Sequence, residues 1–171
     1  MQRMSGEKES RQPKPEGYRP VKSMKENRFE LKVDSKLENL SIISDFITKV
    51  MSQIGAKGRS ISDVQLAVDE ACTNIIRHAY SERKDIITIA LEIVDEDLIV
   101  TITDRGEPFK PDSIPPPDLE SDVGERKIGG LGIYFMRKLM DEVSYSSDAE
   151  EGNKLTMRKH LMPKNSDSEG V

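Results

Sequence analysis

The 171-residue chain has a single cysteine, Cys72, and two histidines, His78 and His160. One cysteine excludes an internal disulfide framework and a multi-cysteine zinc site. Two histidines argue against a histidine-rich metal centre. No stretch approaches the roughly 18 consecutive apolar residues that a membrane-spanning helix needs. The N-terminus opens on Gln, Arg, Lys and Pro rather than on an apolar run, so it does not read as a secretory signal. A reducing, cytoplasmic setting is the expectation. Proline is missing from residues 21–107 and then clusters at Pro108, Pro111, Pro115, Pro116 and Pro117. A continuous folded block is therefore expected up to about residue 104, followed by a long proline-broken loop. Loops of that length inside a compact domain are usually functional.

With 26 basic and 31 acidic residues the net charge is −5, and 35% of residues are hydrophobic against 33% charged. That composition is polar but can build a core, and the length suits one domain with tails. The negative balance argues against nucleic acid as a direct partner. The charge is unevenly spread. Residues 1–28 hold eight basic and four acidic groups, a local +4 that leaves −9 for the remainder. Residues 1–25 have almost no large apolar side chains to offset their ordering entropy and are expected to form a disordered basic tail. Residues 163–171 read as a second frayed tail. The folded domain is placed at 26–162.

Apolar alternation marks five strands. Phe29, Leu31 and Val33 form the first row. Ile87 to Ile93 and Leu98 to Ile102 form two more, around the turn Asp95-Glu96-Asp97. Val143 with Tyr145, and Leu155 with Met157, repeat the pattern around a turn at 149–153. Three helices follow a different spacing. Leu37 to Ile54 is one, stopped by Gly55. The second is expected to begin after Ser60, with Asp63 completing a weak capping box. The third starts at the glycine cluster 129–132 and runs through Met140. Three apolar-faced helices need one apolar sheet face, which predicts an α+β fold: a two-layer α/β sandwich with a mixed, mostly antiparallel five-stranded sheet.

Three groups of residues carry chemistry. Glu70 and Asn74 are four apart on the second helix and share a face, with His78 continuing the row. A carboxylate beside an amide suits a base next to a metal ligand, and equally suits a solvated helix face. Asp104-Arg105-Gly106 ends a strand. Asp104 can accept from an exocyclic amine and Gly106 lets the backbone approach a flat ring, or the three form an ordinary turn. Gly129-Gly130-Leu131-Gly132 opens the third helix. Its N–H groups and dipole make a phosphate site, with Arg126 and Lys127 adding charge, or the glycines form a hinge. Neither a P-loop nor a dinucleotide fingerprint fits.

In order and spacing the three groups resemble the GHKL, or Bergerat-fold, ATPases. Asp69-Glu70-Ala71-Cys72-Thr73-Asn74 is similar to their N box. Asp104-Arg105-Gly106-Glu107-Pro108-Phe109 resembles the first glycine box, and Gly129-Gly130-Leu131-Gly132-Ile133 the second. Compactness and the run Asn-Ile-Ile-Arg-His-Ala-Tyr at 74–80 are similar to the anti-sigma-factor serine kinases. The resemblance implies ATP and Mg²⁺ as cofactors. Asn74 would bind the metal and Glu70 would be the general base. Asp104 and Gly106 would hold adenine. Gly129, Gly130, Leu131, Gly132 and Lys127 would line the phosphates, under a lid at 107–128. It also implies phosphorylation of a serine on an antagonist protein, sequestration of a sigma factor, and a homodimer. Two departures stand out: Pro108 replaces a second glycine, and Gly152-Asn153 replaces a Gly-Thr beside the adenine. A nucleotide-gated binding module without transfer, or a histidine-kinase catalytic domain, are the alternatives. His78 is expected to be a hydrogen-bonded structural residue, and Cys72 a small buried one.

Overall fold

The computed structural model describes residues 28–79, 85–108 and 131–161. The expected tails lie outside the described residues, as do positions 109–128 of the expected lid and Lys127, Gly129 and Gly130. The elements run β1 (Arg28–Asp34), α1 (Leu40–Gln53), α2 (Arg59–Asn74), β2 (Ile86–Val94), β3 (Asp97–Asp104), α3 (Leu131–Leu139), β4 (Glu142–Asp148) and β5 (Gly152–His160). A 3₁₀ turn at Leu37–Asn39 leads into α1, and a π-helical turn at Ile75–Ala79 continues α2. The sheet order is β1-β2-β3-β5-β4. All four pairings are antiparallel, the limiting case of the mostly antiparallel sheet expected.

Alternation sorts each strand into two faces. Leu31 and Val33, then Ile87, Ile89 and Leu91, then Leu98, Val100 and Ile102, and Met157 are buried on the helix side. Ile43, Ile47, Val50 and Met51 of α1 pack on them with Val64, Ala67, Val68, Ala71 and Cys72 of α2 and Ile133 and Met136 of α3. This is the two-layer sandwich that the periodicity predicts. Met140 joins the same core. Phe135 is half-buried and meets Tyr134 edge to face at 5.8 Å. Neither α1 nor α2 has a side-chain hydrogen bond at its N-cap. Such a cap contributes about 1 kcal/mol, whereas each buried Ile or Leu contributes about 1.5–3 kcal/mol. Burial therefore sets these helices in place.

The start of α2 corrects one expectation. The helix begins at Arg59 behind Gly58, so Ser60 lies inside it and makes no cap. Asp63 is engaged elsewhere: its carboxylate takes Arg59 at 3.6 Å and Lys159 at 3.1 Å. The tertiary ion pair outcompetes a local capping box. The β2–β3 hairpin closes on Asp95 and Glu96, with Asp95 in the left-handed region at φ 56°. At the start of β3, Asp97 accepts from His160 Nδ1 at 2.8 Å and Arg158 at 3.1 Å. The His160 hydrogen bond first, and Arg158 after it, hold the Asp97 carboxyl below the usual carboxylate range. This network sits at the opposite end of β3 from Asp104.

Candidate active site

The site grows from the places where apolar rows end in polar residues. On β3 the inward row Leu98, Val100, Ile102 finishes at Asp104, which is only 6% exposed. On β5 the inward residue in register with it is Asn153, 3% exposed. Two buried polar side chains thus stand side by side at one end of an otherwise apolar face. Burial of polar groups is tolerated only with partners, and both have them. Gly106 N–H donates to Asp104 Oδ1 at 2.7 Å, and Asn153 Nδ2 donates to the same oxygen at 3.0 Å. Asn153 Nδ2 also donates to the Gly106 carbonyl at 3.0 Å, and Ser147 Oγ donates to Asn153 Oδ1 at 2.9 Å. Asp104 Oδ2 accepts from no described residue. Among the described residues no sealed side-chain nitrogen or oxygen lacks a partner. That oxygen therefore opens on solvent.

A second group is built by the packing of α2 on α3. Glu70 and Asn74 are half-buried on one row of α2. Gly132, in the first turn of α3, comes so close that a Cβ there would stand 2.7 Å from Glu70 Oε2 and 3.0 Å from Asn74 Nδ2. Two segments separated by some sixty residues meet with room for hydrogen only. Neither Glu70 nor Asn74 has a hydrogen bond or ion pair to another described residue. Beside them, burial pushes the Asp69 carboxyl up.

Cys72 links the two groups. It is fully buried, and burial first, then the charges of Asp69 and Asp104, push its thiol far up. A protonated thiol under the site is packing, not a nucleophile. His78 departs from the expectation. It is exposed, and no hydrogen bond joins it to a described residue. The π-helical turn at Ile75–Ala79 carries His78 at an exposed position beyond the end of α2. With His160 committed to Asp97 at the other end of the sheet, neither histidine belongs to the site.

The structure therefore brings Glu70, Asn74 and Gly132 into one group and Asp104 and Gly106 into another. Leu131 begins α3 and is exposed. Lys127, Gly129 and Gly130 fall outside the described residues. Sequence reasoning set Asn153 at the position beside the adenine but did not count it among the site residues, although its place two residues before Leu155 on the inward row of β5 signals its burial.

A carboxylate and an amide thus meet the first turn of a helix, and a buried carboxylate closes one end of the sheet. The histidine kinase-like ATPase domain family matches residues 33–159. Serine-protein kinase RsbW of Staphylococcus aureus strain bovine RF122 / ET3-1 is 34% identical over 143 residues, covering 80% of this chain and 89% of the relative. RsbW of strain MRSA252 matches to the same extent. A crystal structure of the RsbU and RsbW domains of a Mycobacterium tuberculosis protein shares the fold, with a TM-score of 0.57 at 17% identity. It covers 80% of this chain, which spans 33% of that longer one. The chain belongs to the anti-sigma-factor serine-protein kinase family of the GHKL ATPases. No helix among the described residues is long and apolar enough to cross a membrane.

Proposed function

We propose that this protein is an ATP-dependent serine-protein kinase that transfers the γ-phosphate to a serine of an antagonist protein and, in its other state, holds a sigma factor. The observation that supports the reading is the close approach of Gly132, in the first turn of α3, to the Glu70 carboxylate and the Asn74 amide. Helix N-termini attract phosphate through free N–H groups and the dipole. Leu131 and Gly132, with Gly129, Gly130 and Lys127 before them, would contact the phosphates. Asp104 would take the adenine amine, with Gly106 beside the ring. A homodimer would be the working assembly.

The donor set fits Mg²⁺. Among the described residues no three His, Cys, Asp or Glu converge into a protein cage, and Mg²⁺ needs few protein ligands because water and phosphate oxygens fill the rest. Asn74 would supply the protein oxygen, and the bound ion would neutralise phosphate charge. Phosphoryl transfer asks the protein mainly for positioning and charge stabilisation. The Glu70 carboxylate, free of other partners, would take the proton of the attacking serine hydroxyl. A binding module without transfer draws its motive from the departures around Asp104; the hydrogen bond from Asn153 to that carboxylate weakens the motive.

The test uses purified protein, Mg-ATP and candidate antagonists, with phosphoserine read by mass spectrometry. Glu70→Gln should keep nucleotide affinity and lower transfer roughly 10²–10⁴-fold, the usual contribution of a positioned base. Transfer at the unmutated rate by that variant would remove Glu70 from the chemistry.

A further inference from the structure

We propose that Lys159 is a positioning residue: it holds the end of α3 against the start of α2, and the helix register fixed in this way sets Gly132 against Glu70 and Asn74. The inference rests on the nucleotide-binding reading above and deepens it.

A lysine is unexpected at this position. In period-2 order β5 turns Asn153, Leu155, Met157 and Lys159 toward the helices. Asn153 and Met157 are buried, and Leu155 packs on the core. Lys159 takes the next inward place, with a side chain only 16% exposed. Withdrawing an ammonium from water is costly unless the charge is paired and hydrogen-bonded. Lys159 Nζ donates to Asp63 Oδ2 at 3.1 Å and to the Leu139 carbonyl at 2.6 Å. Asp63 lies near the start of α2, and Leu139 is the last residue of α3. One ammonium from the sheet thus joins two helices.

The spacing connects this clamp to the site. Residues 63 and 70 are seven apart on α2, and residues 132 and 139 are seven apart on α3. At about 1.5 Å per residue, each stretch is roughly 10 Å long. Lys159 therefore closes one end of an antiparallel helix pair, and Gly132 meets Glu70 and Asn74 at the other. Ala67 and Ala71 of α2 and Ile133 and Met136 of α3 are buried in the same core. Apolar attraction is non-directional, so it holds the helices together without fixing their axial offset. A buried, hydrogen-bonded charge pair does fix it, and setting registry is the best-attested use of such a pair. With nine residues α3 is shorter than the roughly 12–15 that a helix needs to persist alone, so its place comes from what it packs on. The margin at Gly132 is narrow, since a Cβ there would stand 2.7 Å from Glu70 Oε2. Asp104 and Gly106, in contrast, are held by Asn153 of β5 and not by α3. A slip of α3 disturbs the Glu70–Asn74 end and leaves the Asp104 end in place.

Calorimetric titration of the full chain with ATP, with and without Mg²⁺, reads the two ends separately. In the unmutated protein Mg²⁺ and ATP should tighten one another's binding by roughly 5–150-fold, the usual range of coupling between two ligands. Lys159→Met keeps an apolar stem and removes the ammonium. It should lower that factor about tenfold, as loss of a group that orients a metal ligand does, and leave the Mg²⁺-free affinity unchanged. The double variant Lys159→Met/Asp63→Asn strands no carboxylate and should show the same loss. Leu31→Ala, a core deletion on the edge strand β1, should lower stability and keep the Mg²⁺ factor. An undiminished factor in Lys159→Met and in the double variant overturns the proposal. So does an equal fall in affinity with and without Mg²⁺, or the same loss of the factor in Leu31→Ala, because either is what general loosening of the fold produces. Absence of ATP binding by the unmutated protein overturns the nucleotide reading itself, which separates the two failures.

Discussion

At the scale of single residues, two glycines carry opposite expectations for the same substitution. A Cβ on Gly132 meets Glu70 Oε2 at 2.7 Å and Asn74 Nδ2 at 3.0 Å, both the far ends of side chains. These ends can swing aside, and alanine favours the helix over glycine by up to about 1 kcal/mol. Gly132→Ala should therefore leave thermal stability unchanged or slightly raised, while displaced Glu70 and Asn74 lower phosphotransfer by about 10²-fold, the typical effect of misplacing reacting groups by an ångström. Gly152 is different. Its φ of 90° is strained for any L side chain, and the clash at 2.5 Å is with the backbone oxygen of Asp104. Gly152→Ala should cost about 2–4 kcal/mol of stability. Melting curves and transfer assays on the two variants separate these outcomes. Full transfer by Gly132→Ala would show that the Glu70–Asn74 pair does not face the reacting groups.

At the scale of elements, the site depends on how α2 and α3 sit on the sheet, and Lys159 ties the three together. This inward lysine near the end of β5 donates to Asp63 Oδ2 at 3.1 Å and to the Leu139 carbonyl at 2.6 Å. The two charged side chains are only 16% and 15% exposed, so solvent screens the pair weakly. The Leu139 carbonyl belongs to the last turn of α3, where carbonyls lack helical partners. Lys159→Met should cost about 2–3 kcal/mol, because it leaves the Asp63 carboxylate and that carbonyl with less compensation. Asp63→Asn should cost less, and the double variant should fall short of the sum by about 1 kcal/mol or more. Additive losses in urea unfolding would show that the two side chains act independently. None of this was legible in the sequence. Strand rows such as Leu98, Val100 and Ile102 were, because period-2 burial writes itself directly into residue order. The Glu70–Asn74 pair was legible because helical spacing fixes which residues share a face. The true start of α2 was not, since Asp63 answers to Lys159, ninety-six residues away. Nor was the π-helical turn that ends at Ala79, which no local pattern announces, nor the pairing of Asn153 with Asp104, which depends on strand register.

At the scale of the whole molecule, the site has no single local origin. Residues 70 and 74 come from α2, 132 from α3, 104 and 106 from the end of β3, and 153 from β5. A ligand that touches all of these binds only the assembled sandwich, so its binding energy adds to folding stability. At a nucleotide concentration near 100 times Kd the gain is about 2.7 kcal/mol. For a domain of this size that raises the melting temperature on the order of 10 °C. The gain should divide by region. Without Mg²⁺, ATP should give a smaller shift, because the phosphates lose their counter-ion and Asn74 loses its ligand. Asn74→Ala should erase the Mg²⁺-dependent increment and keep the remainder. Asp104→Ala should erase most of the shift with or without Mg²⁺, because the base then has no acceptor. Unfolding should stay a single transition in every case, since the ligand bridges both layers and no part of the site can melt alone. An ATP shift of equal size with and without Mg²⁺ in the unmutated protein would detach Asn74 from the metal. A shift that survives Asp104→Ala would place the base elsewhere than at the junction of β3 and β5.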